Sequence, residues 1–119
     1  MTPVAEGKIQ PIPIGVGIVI PTNMINSKIT VSKRYLRKYG NIAEISFEGT
    51  ANADIASWER LLTSLPLGYR PYDTSNAFTI NIGGNLYMCN MNNDGIVNTI
   101  AQINNGTVIR YHAVYYIEN

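Results

Sequence analysis

The reactive side chains of this sequence are few, and their spacing restricts the chemistry they could do. His112 is the only histidine and Cys89 the only cysteine in 119 residues. A histidine-rich or thiolate metal site is excluded on that count, and a nucleophilic triad would have to use His112. His112 lies in the apolar run 107–117, on the side with Arg110 and opposite Tyr111 and Tyr115. A hydrogen-bonded strand histidine and a sugar contact both fit that position. Glu44 and Glu48 are the nearest carboxylate pair on one strand face. Four residues of strand set them about 13 Å apart. Glycosidase pairs stand roughly 5–9.5 Å apart, so this pair fails on geometry. The stretch "GVGIVIP" lacks the lysine and the strand–helix setting of a phosphate-binding loop. Cys89 sits in an alternating apolar run and reads as a buried, inert thiol. No catalytic residue, metal or cofactor is assigned.

What remains is the chemistry of binding. Nine basic and eight acidic side chains leave a net charge of +1, without the basic footprint of a nucleic-acid binder. Charged residues make up 14% of the chain, against about 25% in ordinary soluble domains. Asn, Thr, Ser and Tyr must cover much of the surface instead, which suits sugar binding or burial against identical subunits. One cluster of charge stands out, Lys33-Arg-Tyr-Leu-Arg-Lys38. In a strand, Lys33 and Arg37 point one way and Arg34 and Lys38 the other. The cluster reads as a solvated hairpin edge that discourages aggregation, or as an attractor of anionic polymer.

The elements that position these groups are mostly strands. Four of the six prolines (Pro3, Pro11, Pro13, Pro21) surround the apolar run 14–20, so residues 1–27 read as a proline-rich arm or linker feeding an edge strand. The N-terminal "MTPVAEGKIQ" has no signal-peptide core, and no apolar run approaches the ~20 residues of a membrane span. From Lys28 the period is two: Ile29, Val31, Tyr35 and Tyr39 are expected on one side, Lys28, Ser32, Arg34 and Lys38 on the other. "YGN" turns this strand into Ala43, Ile45 and Phe47, and "GGN", "NNDG" and "NNG" punctuate the second half. Ile55, Trp58, Leu61 and Leu62 lie three to four apart, so residues 54–64 are expected to form one short helix, capped by Asn52 or Asp54. The fold class is therefore all-β: an antiparallel sandwich or jelly-roll-like meander over residues 28–119, with one short helical segment.

At the junction after that segment stands "LPLGYRP". Pro66 and Pro71 forbid ladder pairing at both ends, Gly68 permits a left-handed angle, and Tyr69 offers a ring and a hydroxyl. It reads as a rigid corner where the chain passes from one sheet to the other, and Arg70, Tyr72 and Asp73 beside it as further corner residues or as ligand contacts.

The order "KYGNIAEISFEG", a Trp-bearing segment, "LPLGYRP", "INIGGNLYMCN" and a terminal "HAVYYI" resembles the C-terminal β-sandwich modules of tail fibre and baseplate proteins from phages of Gram-positive bacteria. The resemblance spans roughly residues 28–118. It implies a homotrimeric receptor-binding head on the virion tail, made in the host cytoplasm and associated with other tail proteins. Such heads grip host cell-wall polysaccharide or teichoic acid without catalysis, while other members serve as scaffold. A shallow saccharide site needs an aromatic plane, a bidentate donor and a carboxylate or amide. Trp58, Arg70, Tyr72, Asp73, His112 and the turn of Asn92, Asn93 and Asp94 supply those types, although Trp58 would equally serve in packing.

Overall fold

A computed structural model describes residues 16–117. Eight strands form one antiparallel sheet: β1 (Val16–Val19), β2 (Ile29–Tyr39), β3 (Ile42–Ala51), β4 (Arg60–Leu62), β5 (Ser75–Ile82), β6 (Asn85–Asn92), β7 (Val97–Thr99) and β8 (Val108–Tyr116). Turn chemistry sets the hairpins. Ile82 faces Asn85, leaving Gly83 and Gly84 at φ 61° and 93°, the two positive angles of a type I′ turn. Tyr39 faces Ile42 across Gly40 and Asn41, and only Gly40 has a positive angle (φ 63°), the pattern of a type II′ turn.

The sheet is not a simple meander. Its order is β1-β2-β3-β8-β5-β6-β7-β4, so the last strand inserts between the first hairpin and the second. β8 pairs with β3 over nine residues but with β5 over only three, Ile80 to Ile82, and the two halves part beyond them. The sheet then curls. At its far end the Thr63 amide donates to the Met24 carbonyl (2.9 Å) and the Asn26 amide to the Leu61 carbonyl (3.0 Å), so β4 meets the segment leading into β2. Leu36, Ile45, Phe47, Ile80, Met91, Val97 and Ile109 fill the enclosed core.

Two sequence expectations change. Residues 54–64 form no helix, and among the described residues the only helical element is a single 3-10 turn, Thr22–Met24. A ten-residue helix is marginal alone, and strands capture this backbone instead. Ile55 exchanges both hydrogen bonds with Ile103 (2.7 and 2.9 Å), and the Trp58 amide donates to the Thr99 carbonyl (2.7 Å). A register shift between Arg60 and Leu62 buries both Leu61 and Leu62, which imitates helical spacing. Asp54, expected as a cap, accepts instead from the Asn105 amide (2.8 Å).

The second change is in β2, where a bulge between Val31 and Lys33 switches the faces. Ile29 and Val31 point to the core with Leu36, whereas Tyr35 and Tyr39 stand exposed with Lys33 and Arg37. The start of the chain is expected to be an arm or linker feeding an edge strand. Val16–Val19 is an edge strand paired only with β2, and Ile20 and Ile25 join the core. The rest of the expected arm, residues 1–15, and residues 118–119 lie outside the described residues.

Candidate functional site

The corner is built as its composition requires. Gly68 takes φ +89°, and the Tyr69 amide donates to the Pro66 carbonyl (3.1 Å), which closes a turn of type II geometry around Leu67 and Gly68. Tyr115 Oη donates to the Tyr69 carbonyl (2.7 Å) in the core. Lys38 Nζ lies 4.8 Å from the centre of the Tyr69 ring, a cation–π contact. Beyond the turn, Pro71 bridges to Ile117 and the Tyr72 amide donates to the Tyr116 carbonyl (2.9 Å). The corner is thereby docked onto β8.

Its other flank is the turn after β6. The Leu65 amide donates to the Gly95 carbonyl (2.8 Å), and Ser64 Oγ to the Asp94 carbonyl (3.3 Å). Arg70 clamps the same backbone: Nε donates to the Leu65 carbonyl (2.7 Å) and Nη2 to Ser64 Oγ (2.9 Å). Two of the five guanidinium N–H groups are so engaged, and the other three have no partner among the described residues.

Leu67, Gly68, Arg70, Pro71, Tyr72 and Asn93 line a shallow depression over this junction. Of the residues proposed from sequence, the structure thus brings Arg70, Tyr72 and Asn93 together. Asn92 and Asp94 belong to the same turn as Asn93, where Asp94 Oδ1 accepts from the Ile96 amide (3.1 Å). Asp73 is exposed beside Tyr72, and its carbonyl accepts from Asn76 Nδ2 (3.2 Å).

Trp58 and His112 stand apart from the depression. Trp58 is 59% exposed and, at φ 69°, is the only non-glycine described residue with a left-handed backbone. Its carbonyl accepts from Asn98 Nδ2 (3.2 Å), which with the Thr99 contact places it near the end of β7 away from Asn93. The preceding loop is held by Glu59, which accepts from the Ala56 amide (3.1 Å), Asn26 Nδ2 (2.9 Å) and Lys28 Nζ (3.1 Å). These partners, the Asn26 bond foremost, hold the Glu59 carboxyl below its ordinary value.

His112 is on the outer face of β8, with its Nε2 2.7 Å from Glu44 Oε2 of β3. That outer face, across β2, β3 and β8, gathers Lys33, Arg37, Glu44, Glu48, Arg110 and His112. The opposite half of the sheet differs sharply: residues 74–109 contain one charge, Asp94. There the exposed Leu86 and Met88 share the outer face of the β5–β6 hairpin with Ala77, Thr79, Asn81 and Asn90. Sequence reading singled out the Lys33–Lys38 cluster on the charged face but not Ser46 beside it, nor this hairpin surface. The near absence of charge over residues 74–109 was the available signal for the hairpin.

Cys89 is fully buried and donates to the Asn98 carbonyl (3.1 Å). Burial pushes its thiol up to about 12, against a smaller opposite effect of the neighbouring Tyr111 hydroxyl, so little reactive thiolate forms at neutral pH. The Tyr111 hydroxyl itself has no partner within hydrogen-bonding geometry among the described residues, and burial raises its pKa as well. Among the described residues no group of three or more His, Cys, Asp or Glu is placed to hold a metal ion. No described helix is long and apolar enough to cross a membrane. Comparison with known proteins found no matching family model and no matching curated protein.

Proposed function

We propose that this chain is a non-catalytic adhesion head of a phage tail fibre or baseplate that binds host cell-surface polysaccharide through the corner depression. The observation that carries the reading is the convergence of Arg70, Tyr72 and Asn93 on one shallow surface beside a rigid turn. Tyr72 is 62% exposed and presents a ring for stacking, Asn93 an amide, and Arg70 its remaining N–H groups. The corner is already ordered by its own hydrogen bonds, so little entropy is lost when a ligand docks. In this reading the curled sheet is the sandwich of such heads, its two halves parting where β5 leaves β8. Each contact is weak, and three copies supply useful affinity by avidity.

A second reading is a scaffold or trimerisation module of the tail. The surface of residues 74–109, whose one charge is Asp94, with Leu86 70% and Met88 50% exposed, favours it. Size exclusion with light scattering tests assembly in both: about three times the 13.2 kDa chain mass is expected. Pull-down on intact Gram-positive cells separates the readings. Binding that Tyr72→Ala and Asn93→Ala weaken without lowering the melting temperature supports the head; co-assembly with tail proteins and no cell binding supports the scaffold.

A further inference from the structure

We infer that the outer face of β2 and β3 carries a second binding site, one for an anionic saccharide, centred on Arg37. Register builds it. Tyr35 pairs with Ser46 and Ser46 with His112, so one row across three strands runs aromatic, small, aromatic. Neighbouring strands lie about 4.8 Å apart, so the Tyr35 and His112 backbones are about 10 Å apart across the serine. The row above is Arg37 and Glu44; the row below is Lys33 and Glu48. Long side chains around one short side chain leave a hollow, and Lys33, Tyr35, Arg37, Glu44 and Ser46 line it.

The charges on this face do not cancel. Glu48 is paired with Lys33 (3.4 Å) and Glu44 is engaged by His112 (2.7 Å). Arg37 lies opposite Glu44 in register, yet it has no ion pair or side-chain hydrogen bond among the described residues. A guanidinium with a full set of free donors is suited to a carboxylate or phosphate, which it can hold through two parallel hydrogen bonds. Tyr35, 48% exposed, adds an aromatic wall for the apolar face of a sugar ring, and Ser46 a hydroxyl on the floor. An inorganic anion would use only the arginine. A sugar bearing a carboxylate or phosphate uses all three, and choosing a sugar rests on the saccharide-binding reading above.

The test is a titration of isotope-labelled protein by NMR with four probes: glucose 1-phosphate, glucuronic acid, glucose and inorganic phosphate. Amide shifts confined to residues 33–37, 44–46 and 112 are expected with one or both anionic sugars, and the responding probe tells phosphate from carboxylate. Arg37→Gln should weaken that binding at least tenfold, and Tyr35→Ala should weaken it while leaving the melting temperature unchanged. Equal binding of glucose would overturn the role of Arg37, and equal binding of inorganic phosphate would overturn the sugar contact. Shifts only around Arg70, Tyr72 and Asn93 would refute this site and leave the corner reading standing. Shifts here with none at the corner would do the reverse. No response at either place refutes both.

Discussion

Two glycines with nearly the same backbone angle separate conformational strain from packing. Gly95 has φ +85° and Gly106 φ +87°, so alanine at either must adopt a left-handed conformation, which costs about 1–2 kcal/mol. Their surroundings differ. A Cβ on Gly106 would meet nothing within 4 Å, whereas one on Gly95 would lie 2.5 Å from the Leu65 nitrogen and 3.0 Å from its Cβ. Ordinary contact begins near 3.4 Å, so Leu65 would have to retreat by 3.4 − 2.5, or 0.9 Å. That movement breaks the Leu65–Gly95 hydrogen bond, for about 0.5–1.5 kcal/mol, and disturbs a fully buried leucine, for about 1–3 kcal/mol. Gly106→Ala should therefore lose about 1–2 kcal/mol and Gly95→Ala about 2.5–6.5 kcal/mol. Urea unfolding followed by circular dichroism at fixed protein concentration measures both. For a chain of this size the gap amounts to roughly 3–6 °C of melting temperature per kcal/mol. Losses equal within about 0.5 kcal/mol would show that contact between the turn and the corner has no energetic role.

Removal of the hydroxyl in Tyr115→Phe should destabilise by about 1–2 kcal/mol, because the Tyr69 carbonyl loses its donor, whereas Tyr111→Phe, which removes a buried hydroxyl without a partner among the described residues, should be neutral or stabilising by up to about 1 kcal/mol. Thermal melts of the pair check this. Arg70→Ala should lose about 1.5–3 kcal/mol with its two hydrogen bonds to the Ser64–Leu65 segment, read by the same melts. Its effect on binding must therefore be judged against Arg70→Lys. The folded-state pKa of Glu59 is depressed, so its contribution is fully present above the ordinary carboxylate value near 4.5 and is lost as pH falls through the lower folded value. Stability of Glu59→Gln should accordingly fall less steeply than wild type below pH 4.5 in acid titrations followed by circular dichroism.

The local signals of the strands were legible. Gly-Asn and Asn-Gly triplets at the turns, and alternation in residues 78–91 and 107–117, correspond to β5, β6 and β8. Long-range pairing was not. Nothing local announces that β8 inserts between β3 and β5, because that choice depends on which apolar faces bury best once both hairpins exist. The bulge at Ser32 was hidden because alternation counts residues and a bulge adds one. The segment 54–64 misled because two adjacent buried leucines at a register shift share the spacing of a helix face. The candidate site was legible in its corner, where Arg70 and Tyr72, close in the chain, line one depression. Asn93 joins them through the Leu65–Gly95 contact. Trp58 and His112 share the residue types of a sugar site, but residue type carries no information about which strand lies beside which.

The most direct test of the central claim is a bacterial polysaccharide array probed with the wild-type protein and Tyr72→Ala, both shown by light scattering and melting to be folded and identically assembled. Wild-type protein should bind at least one surface polysaccharide, and Tyr72→Ala should bind it at least about tenfold more weakly, equivalent to about 1.4 kcal/mol. A folded wild-type assembly that binds no polysaccharide, or a Tyr72→Ala variant that binds as tightly as wild type, would contradict the corner as a glycan site.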